Sequence, residues 1–314
     1  MAAVLGLDTS NYITSAAWFD GERGDNAGKI LDVPEGALGL RQSDALFQHV
    51  KRMPEIMVRL KETGLPAELT ALGASTRPRE VEGSYMPCFL AGESQARGMA
   101  AALELPFYAC SHQQGHIAAA AWSAGRMDLL DRPHLVWHLS GGTTELLHVT
   151  PDGVMVRAEC IGGTTDISAG QLIDRTGKKL GLAFPAGKAV DALSLQAEKK
   201  EWFAVKVKDS AFSFSGVENK MNALAEQGWA PADICWYVLA SVIHGVEKAT
   251  KQALKKYPGL PVLCAGGVAS NQLLRETMVK TCGAVFAEPR FSTDNAMGVA
   301  ILTWRRLHRD ECYD

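Results

Sequence analysis

Two segments of this chain share one pattern, in which an apolar run ends in small polar residues and a second apolar run follows. The first segment runs from Ala3 to Phe19 around the turn Asp8-Thr9-Ser10. The second runs from His134 to Val149 around the loop Ser140-Gly141-Gly142-Thr143-Thr144. Each predicts a strand, a polar loop and a returning strand. Because further strand and helix patterns follow both segments, the repeat predicts an α/β fold with a duplicated, two-lobed architecture.

The length of the chain agrees with two lobes. The chain has 314 residues and 47% hydrophobic content, and single cores stop growing at roughly 250–300 residues. We expect an N-terminal lobe over residues 1–125 and a C-terminal lobe over residues 126–314. A last helix over about 294–310 should pack back on the N-terminal lobe, and a nucleotide would sit between the lobes.

The net charge and the cysteine content limit the possible partners and the cellular compartment. The net charge of −3 and the pI of about 6.3 exclude a global basic field, so any RNA contact has to be local or shared with a partner. Small basic spots such as Lys206 with Lys208 are typical of solvated surface. The seven cysteines contain no C-x-x-C pair, which favours a reduced compartment. We find no signal peptide and no apolar run near ~20 residues, and we therefore expect a cytoplasmic protein without a membrane or DNA partner.

The segment SHQQGHI places two histidines four residues apart. Strong helix formers follow His116, so His112 and His116 should project from one helical face, a geometry that suits a transition metal. The alternative is a capped, partly buried helix start. Asp294, at a predicted junction of loop and helix, is the best candidate for a third ligand, although it could equally serve as an N-cap.

Two glycine-containing loops follow predicted strands. The Ser140–Thr144 loop offers backbone amides and hydroxyls that a phosphate could approach closely. A tight hairpin turn that uses glycine for positive φ is the alternative. The segment Ala265–Asn271 follows a strand and opens a helix, so its amides could face an anion or an adenine edge.

Asp174 and Asp191 flank the glycine turn Pro185–Gly187, as a ribose site would require, although solvated helix aspartates are an alternative. Two catalytic motifs are excluded. Lys188 follows a glycine, but the chain lacks the earlier glycine and the Ser/Thr of a Walker loop. The segment Gly92–Ala96 lacks the last glycine of a hydrolase elbow.

The ordered motifs of this chain resemble those of the TsaD family, which transfers threonylcarbamoyl groups to tRNA. The resemblance runs almost end to end and rests on LGLDTS, SHQQGHI, LSGGTTEL, AGQLIDRTGKKLGLAFPAGKAVDAL, FSFSGVENKM, CAGGVASNQLLRE and FSTDNAMG. It implies the two-lobed fold of actin, sugar kinases and Hsp70, which is a duplicated ribonuclease H-like fold.

The resemblance also implies a metal site and an adenylate site. One divalent metal, iron in preference to zinc, would be held by His112, His116 and Asp294, which would form the catalytic centre. The adenylate, as threonylcarbamoyl-AMP or ATP, would be held by two sets of residues: a phosphate set of His138, Leu139, Ser140, Gly141 and Gly142, and a ribose and adenine set of Asp174, Gly187, Asp191 and Asn271.

The implied activity is that of an acyltransferase. The exocyclic amine of the adenosine beside the tRNA anticodon would attack the carbamoyl carbon and release AMP, with partner subunits of a threonylcarbamoylation complex taking part. The chain departs from the family where Asn11-Tyr12-Ile13-Thr14 replaces Cys-Asp-Glu-Thr, which indicates a divergent paralogue. Carbamoyl transfer to a small acceptor and a non-catalytic nucleotide-binding subunit are therefore alternative functions. Proteolysis is disfavoured because the histidine pair lacks the glutamate of an H-E-x-x-H site.

Overall fold

The computed structural model describes residues 2–10, 12–33, 40–293 and 295–309. Their strands are β1 Ala2–Thr9, β2 Ile13–Phe19, β3 Gly24–Ile30, β4 Glu68–Arg77, β5 Phe107–Ser111, β6 His134–Leu139, β7 Thr144–Asp152, β8 Met155–Thr164, β9 Val207–Lys208, β10 Ala211–Phe212, β11 Val262–Ala265 and β12 Val285–Phe286. Their α-helices are α1 Gln42–Glu62, α2 Phe89–Ala102, α3 His112–Ser123, α4 Ala169–Lys179, α5 Gly187–Ser194, α6 Ser215–Glu226, α7 Pro231–Lys256, α8 Gln272–Cys282 and α9 Met297–Leu307. Within this part of the chain, none of the helices has the length and apolar character needed to cross a bilayer.

The chain divides into two compact units. The first comprises Met1–Arg132, Thr150–Ala158 and Asp294–Asp314, and the second comprises Pro133–Val149 and Glu159–Thr293. The first unit therefore takes in two segments that lie beyond residue 125 in addition to the end of the chain.

The first unit is built on a five-stranded sheet in the order β3-β2-β1-β4-β5. Strand β1 pairs antiparallel with β2 and parallel with β4, and β4 pairs parallel with β5. All but the first residue of β1 are buried, as a central strand covered on both faces requires. The carboxyl ends of β1, β4 and β5 consequently meet at one edge of the sheet, where open α/β sheets bind their ligands.

The second unit repeats this arrangement within a seven-stranded sheet in the order β12-β11-β6-β7-β8-β10-β9. Strand β6 pairs antiparallel with β7 and parallel with β11, and β11 pairs parallel with β12. The run β8-β7-β6-β11-β12 thus matches β3-β2-β1-β4-β5 strand for strand. The predicted duplication is confirmed at the level of sheet topology, and β9 and β10 are an addition at one edge.

Helix α9 belongs to the core of the first unit and packs against β1, β2, β4 and α3. Small residues allow the close approach: a Cβ at Gly6 would lie 2.5 Å from the Ala300 nitrogen, and one at Gly298 would lie 1.7 Å from the Gly115 carbonyl oxygen. Because Gly115 lies in α3, the position of α3 depends on the absence of a side chain at these points.

We expect Gly298→Ala to lower the free energy of unfolding by about 2–3 kcal/mol, because the added methyl group collides with backbone that has no free rotamer to move. Chemical denaturation measures this value. Gly98→Ala is the matched control, since an added Cβ in this exposed part of α2 meets nothing within 4 Å and alanine favours a helix over glycine. A Gly298→Ala protein as stable as the control would contradict the packing.

A buried histidine lies next to β1 and β2. His49 in α1 is fully buried, and its Nδ1 lies 2.8 Å from Oγ1 of Thr14. Within the part of the chain that the structure describes, its Nε2 has no hydrogen-bond partner. Burial lowers the pKa of His49 to about 4, although the backbone of Ser10 and the charge of Asp8 act to raise it. His49 is therefore neutral in the folded protein at physiological pH.

The pKa of His49 predicts a loss of stability in acid. Above the unfolded-state value of about 6.5, neither state binds the proton and the contribution of His49 is complete. As the pH falls from 6.5 towards 4, His49 takes up a proton in the unfolded chain but stays neutral in the folded protein. This difference lowers the free energy of unfolding by roughly 3 kcal/mol. His49→Gln removes this component, so denaturation curves at pH 7 and pH 5 should differ less for the variant than for the wild type. Equal pH dependence in both proteins would refute the assignment.

Candidate active site

The two histidines of the SHQQGHI segment lie on the first turn and a half of α3. Ser111 forms a capping box, in which its Oγ accepts a hydrogen bond from the Gln114 amide and the Gln114 side chain accepts one from the Ser111 amide. The Gln114 Nε2 also donates to the Val156 carbonyl at 2.8 Å. The helix therefore begins at His112, and the spacing of four residues brings the Nε2 atoms of His112 and His116 to 2.9 Å from each other. The predicted shared face and the alternative of a capped helix start are both correct.

A buried carboxylate fixes the orientation of the first histidine. Asp8, at the end of β1, is 1% exposed, and its Oδ2 lies 2.9 Å from Nδ1 of His112. Its Oδ1 accepts a hydrogen bond from the hydroxyl group of Ser75 in β4. Because the carboxylate accepts from Nδ1–H, the Nε2 of a neutral His112 carries the lone pair. Asp8 lies in the LGLDTS motif, but the sequence pattern does not indicate its bond to His112.

This arrangement fits one divalent transition metal. Imidazole nitrogens suit iron and zinc, and a ligating histidine almost always gives its other ring N–H to a carboxylate or carbonyl. His112 and His116 direct two Nε2 atoms to one point, and both rings are partly solvent accessible. Asp294, the predicted third ligand, lies outside the described residues. Among residues 2–10, 12–33, 40–293 and 295–309, no group of three His, Cys, Asp or Glu side chains is close enough together to hold a metal ion.

The predicted phosphate loop joins β6 to β7 in the second unit. The Ser140 amide donates to the Thr143 carbonyl at 2.8 Å, and the Thr143 amide donates to Oγ of Ser140 at 3.1 Å. Ser168, the N-cap of α4, donates from Oγ to the Gly141 carbonyl at 2.6 Å. The loop is therefore tied to the start of α4, where Ser168 also forms a capping box with Gln171.

The fold itself does not explain the glycines of this loop. Gly141 and Gly142 are exposed, neither has a left-handed φ, and a Cβ at either position would meet nothing within 4 Å. The alternative prediction, in which a hairpin turn needs glycine for positive φ, is therefore wrong at these two residues. His138 and Leu139, the other predicted members, are the last residues of β6, and Leu139 is buried.

The segment Ala265–Asn271 lies beside this loop. Gly266 has a φ of 99°, and a Cβ there would lie 2.2 Å from the Leu139 carbonyl oxygen, so only glycine fits. A short 3-10 helix over Gly267–Ser270 follows, and Asn271 caps α8 by accepting a hydrogen bond from the Leu274 amide at 2.8 Å. The predicted order of strand, loop and helix is confirmed.

The four residues of the ribose and adenine set lie in two separate hydrogen-bonded groups. Asp174 in α4 accepts a hydrogen bond from the Ala186 amide at 2.8 Å and so holds the turn that precedes Gly187. Asp191 in α5 accepts one from Nδ2 of Asn271 at 2.7 Å. Burial raises the pKa of Asp191, and the hydrogen bond from Asn271 opposes that change. Asp174 and Asp191 therefore have defined partners, unlike freely solvated helix aspartates.

Asp166 is a further organising residue that sequence reasoning missed. Its carboxylate accepts hydrogen bonds from the Ser213 hydroxyl group and from the amides of Phe214 and Ser215, at the start of α6. Burial acts to raise the pKa of Asp166, but these bonds outweigh it and lower the pKa well below the usual range. The signal was a carboxylate two residues before Ser168 together with the motif FSFSG, which only the fold brings together.

Comparison with known proteins agrees with these features. The family model for TsaD, tRNA N6-adenosine threonylcarbamoyltransferase, matches residues 39–301. A protein of that name from Thermus thermophilus is 35% identical over 313 residues, which cover 98% of this chain and 93% of the relative. Another from Enterococcus faecalis is 34% identical over 244 residues, which cover 72% of this chain and 68% of the relative.

Solved structures of low sequence identity share the fold. Full-length HypF in its phosphate- and nucleotide-bound form superposes with a TM-score of 0.64 at 13% identity, over 98% of this chain and 47% of that protein. Component A of (R)-2-hydroxyglutaryl-CoA dehydratase from Acidaminococcus fermentans superposes with a TM-score of 0.58 at 14% identity, over 98% and 99% of the two chains. The predicted two-lobed fold of the actin and sugar kinase class is confirmed. With a family match over most of its length and relatives at 35% identity along nearly all of it, the chain belongs to the TsaD family.

Proposed function

We propose that this protein transfers the threonylcarbamoyl group from threonylcarbamoyl-adenylate to the exocyclic amine of the adenosine beside the tRNA anticodon. The observation that carries the proposal is the match to tRNA N6-adenosine threonylcarbamoyltransferases along 98% of the chain. The reaction forms one C–N bond, breaks the bond between the carbamoyl carbon and a phosphate oxygen, and releases AMP and a proton. Its setting would be the cytoplasm, with partner subunits of a threonylcarbamoylation complex.

The second unit would bind the adenylate. Gly141 and Gly142 leave open space above their Cα atoms, where a phosphate can approach backbone amides. His138 and Leu139, the last residues of β6, and Ser140, which follows them, would complete the phosphate site. The carboxylates of Asp174 and Asp191 would hold the ribose hydroxyl groups together with Gly187 and Asn271. The Asn271 hydrogen bond keeps the Asp191 carboxylate in one orientation, which reduces the entropy lost on binding.

The first unit would hold the metal through His112, His116 and Asp294, with iron preferred to zinc. When bound, the metal supplies a Lewis acid that stabilises negative charge on phosphate or carbamoyl oxygen. Asp8 acts as a positioning residue, because its bond to Nδ1 of His112 sets which ring nitrogen faces outward. Both carboxylate oxygens of Asp8 are engaged and the group is 1% exposed, so it is not placed to take a proton from the acceptor amine.

Reconstitution tests the function. Purified protein, the family's partner subunits, threonylcarbamoyl-adenylate and unmodified tRNA should give threonylcarbamoyladenosine, detected by mass spectrometry of digested tRNA. His116→Ala should reduce the rate by at least about 100-fold, since charge stabilisation at such a centre is worth several kcal/mol, and should also reduce the metal content of the purified protein. His308→Ala, which alters a histidine on the turn after α9, should change neither value.

Each negative result of the reconstitution would exclude a specific hypothesis. No modified nucleoside under conditions in which a known family member works would refute the tRNA reaction. Modification of a small amine or alcohol by the same mixture, with tRNA left unchanged, would select the small-acceptor alternative. Full activity of His116→Ala with wild-type metal content would remove the histidine pair from the mechanism.

Gly141→Ala tests the phosphate loop separately from the chemistry. The added methyl group meets no protein atom within 4 Å, so thermal stability should be unchanged. It would occupy the space assigned to the phosphate, and we expect affinity for AMP and ATP in calorimetric titrations to fall by about tenfold, or ~1.4 kcal/mol. Gly98→Ala serves as the control with an equally open Cβ position. Equal nucleotide affinity in Gly141→Ala and the wild type would contradict the assignment.

A further inference from the structure

A basic concavity lies in the second unit, between the β9–β10 hairpin and the end of α7. It encloses about 510 Å³ and is lined by Ile161, Val207, Lys208, Asp209, Ser210, Gln252, Ala253, Lys255, Lys256 and Tyr257. We call it the lysine pocket. Lys208 comes from the hairpin and Lys255 and Lys256 from the helix, and all three are exposed. The adenylate and metal residues assigned above take no part in it.

Local charge in this pocket contrasts with the whole chain. The lining contains three lysines and one carboxylate, that of Asp209, whereas the chain carries a net charge of −3. Lysines in the last turn of a helix often only complement the helix dipole, and Lys255 and Lys256 occupy that position in α7. This explanation does not account for Lys208, which a different element brings to the same concavity.

The hairpin is held in an unfavourable backbone conformation. Asp209 and Ser210 both lie in the left-handed region, with φ of 51° and 60°, where a residue with a Cβ loses roughly 1 kcal/mol or more. Four hydrogen bonds hold the turn: the Ser210 amide donates to Gln252, the Ser210 hydroxyl group to the Ala249 carbonyl, the Gln252 Nε2 to the Val207 carbonyl, and the Gly163 amide to the Ser210 carbonyl.

These bonds hold the backbone of the hairpin that carries Lys208 against the last turns of α7. Such strain clusters at functional positions, where the surrounding structure over-determines it. A glycine in the turn would form the same hairpin with less strain, so the fold of the hairpin alone does not explain Asp209 and Ser210.

An aromatic ring completes the pocket. Tyr257 stacks on His148 of β7, with ring centroids 4.4 Å apart and an interplanar angle of 23°. The pair keeps the tyrosine ring in a fixed plane at the edge of the lysines. Fixed aromatic faces beside lysines are a recurring feature of surfaces that bind nucleic-acid chains.

We propose that the lysine pocket binds the phosphate backbone of the tRNA substrate. The inference rests on the proposed function, which makes tRNA the acceptor. The pocket is open and much larger than one phosphate group, and its lysines come from two elements, which suits an extended polyanion better than a single small anion. Because the net charge of the chain supplies no general attraction for RNA, any attraction that this chain itself contributes has to come from a local cluster of this kind.

The test measures binding of unmodified tRNA to the full chain by fluorescence anisotropy over a series of salt concentrations. A triple Lys208→Gln, Lys255→Gln, Lys256→Gln variant should bind about tenfold more weakly near 0.1 M salt, with a salt-dependence slope shallower by about 2. The matched control replaces Lys61, Lys220 and Lys280 by Gln, which removes the same charge outside the pocket, and should stay within twofold of the wild type. Asp209→Asn, which keeps a residue tolerant of left-handed φ, should bind more tightly.

Two further measurements distinguish a site for a polyanion from a site for a small anion. AMP affinity should be the same in the triple variant and the wild type, and sodium phosphate should weaken tRNA binding no more than sodium chloride of equal ionic strength. Specific competition by phosphate would replace the proposal with a small-anion site. Equal losses in the triple variant and the control would also overturn it.

The binding measurements distinguish a failure of the lysine pocket from a failure of the catalytic proposal. A protein that modifies tRNA but loses no affinity in the triple variant would refute the pocket and leave the function standing. A protein that binds tRNA through these lysines but never modifies it would support the pocket and refute the function. No measurable binding of tRNA by the wild-type chain would overturn the inference.

Discussion

The buried bond between Asp8 and His112 organises the first unit. Asp8 is the second-to-last residue of β1, and His112 is the first residue of α3. The two residues are more than 100 positions apart in the chain, and their bond ties the end of a central strand to the start of a helix. A carboxylate that is 1% exposed would be costly to bury without partners. Here Ser75 and His112 supply them, and the bond to the carboxylate sets the orientation of the histidine ring.

The same sheet topology carries different chemistry in the two units. At the end of β1 the chain places a carboxylate, and at the corresponding end of β6 it places Ser140 followed by two glycines. The first arrangement orients the His112 imidazole, which we propose as a metal ligand, and the second leaves open space at Gly141 and Gly142. Duplication therefore supplies two equivalent strand ends, and the side chains at those ends give each end a different chemistry.

Close packing of backbone against backbone positions the elements that carry these polar sites. Gly115 and Gly298 bring α3 and α9 together, and Gly266 brings the segment after β11 against the end of β6. In each case a loop or helix that bears candidate site residues is positioned by a contact that tolerates no Cβ. Protein interiors at this density transmit small changes in volume, so the geometry of the sites depends on residues that never touch a ligand.

Local sequence determined a large part of this protein. Apolar runs, polar strand ends and the spacing of His112 and His116 predicted the duplicated α/β fold, the shared helical face and the loop positions, because hydrophobic periodicity and capping act over a few residues. Only the tertiary structure decided which distant groups meet. The bonds of Asp8 to His112, Asp166 to the start of α6, and Asp191 to Asn271 join residues separated by tens of positions in the chain. The lysine pocket likewise joins a hairpin to a helix end. Such pairs depend on strand order and packing, which a pattern of neighbouring residues does not encode.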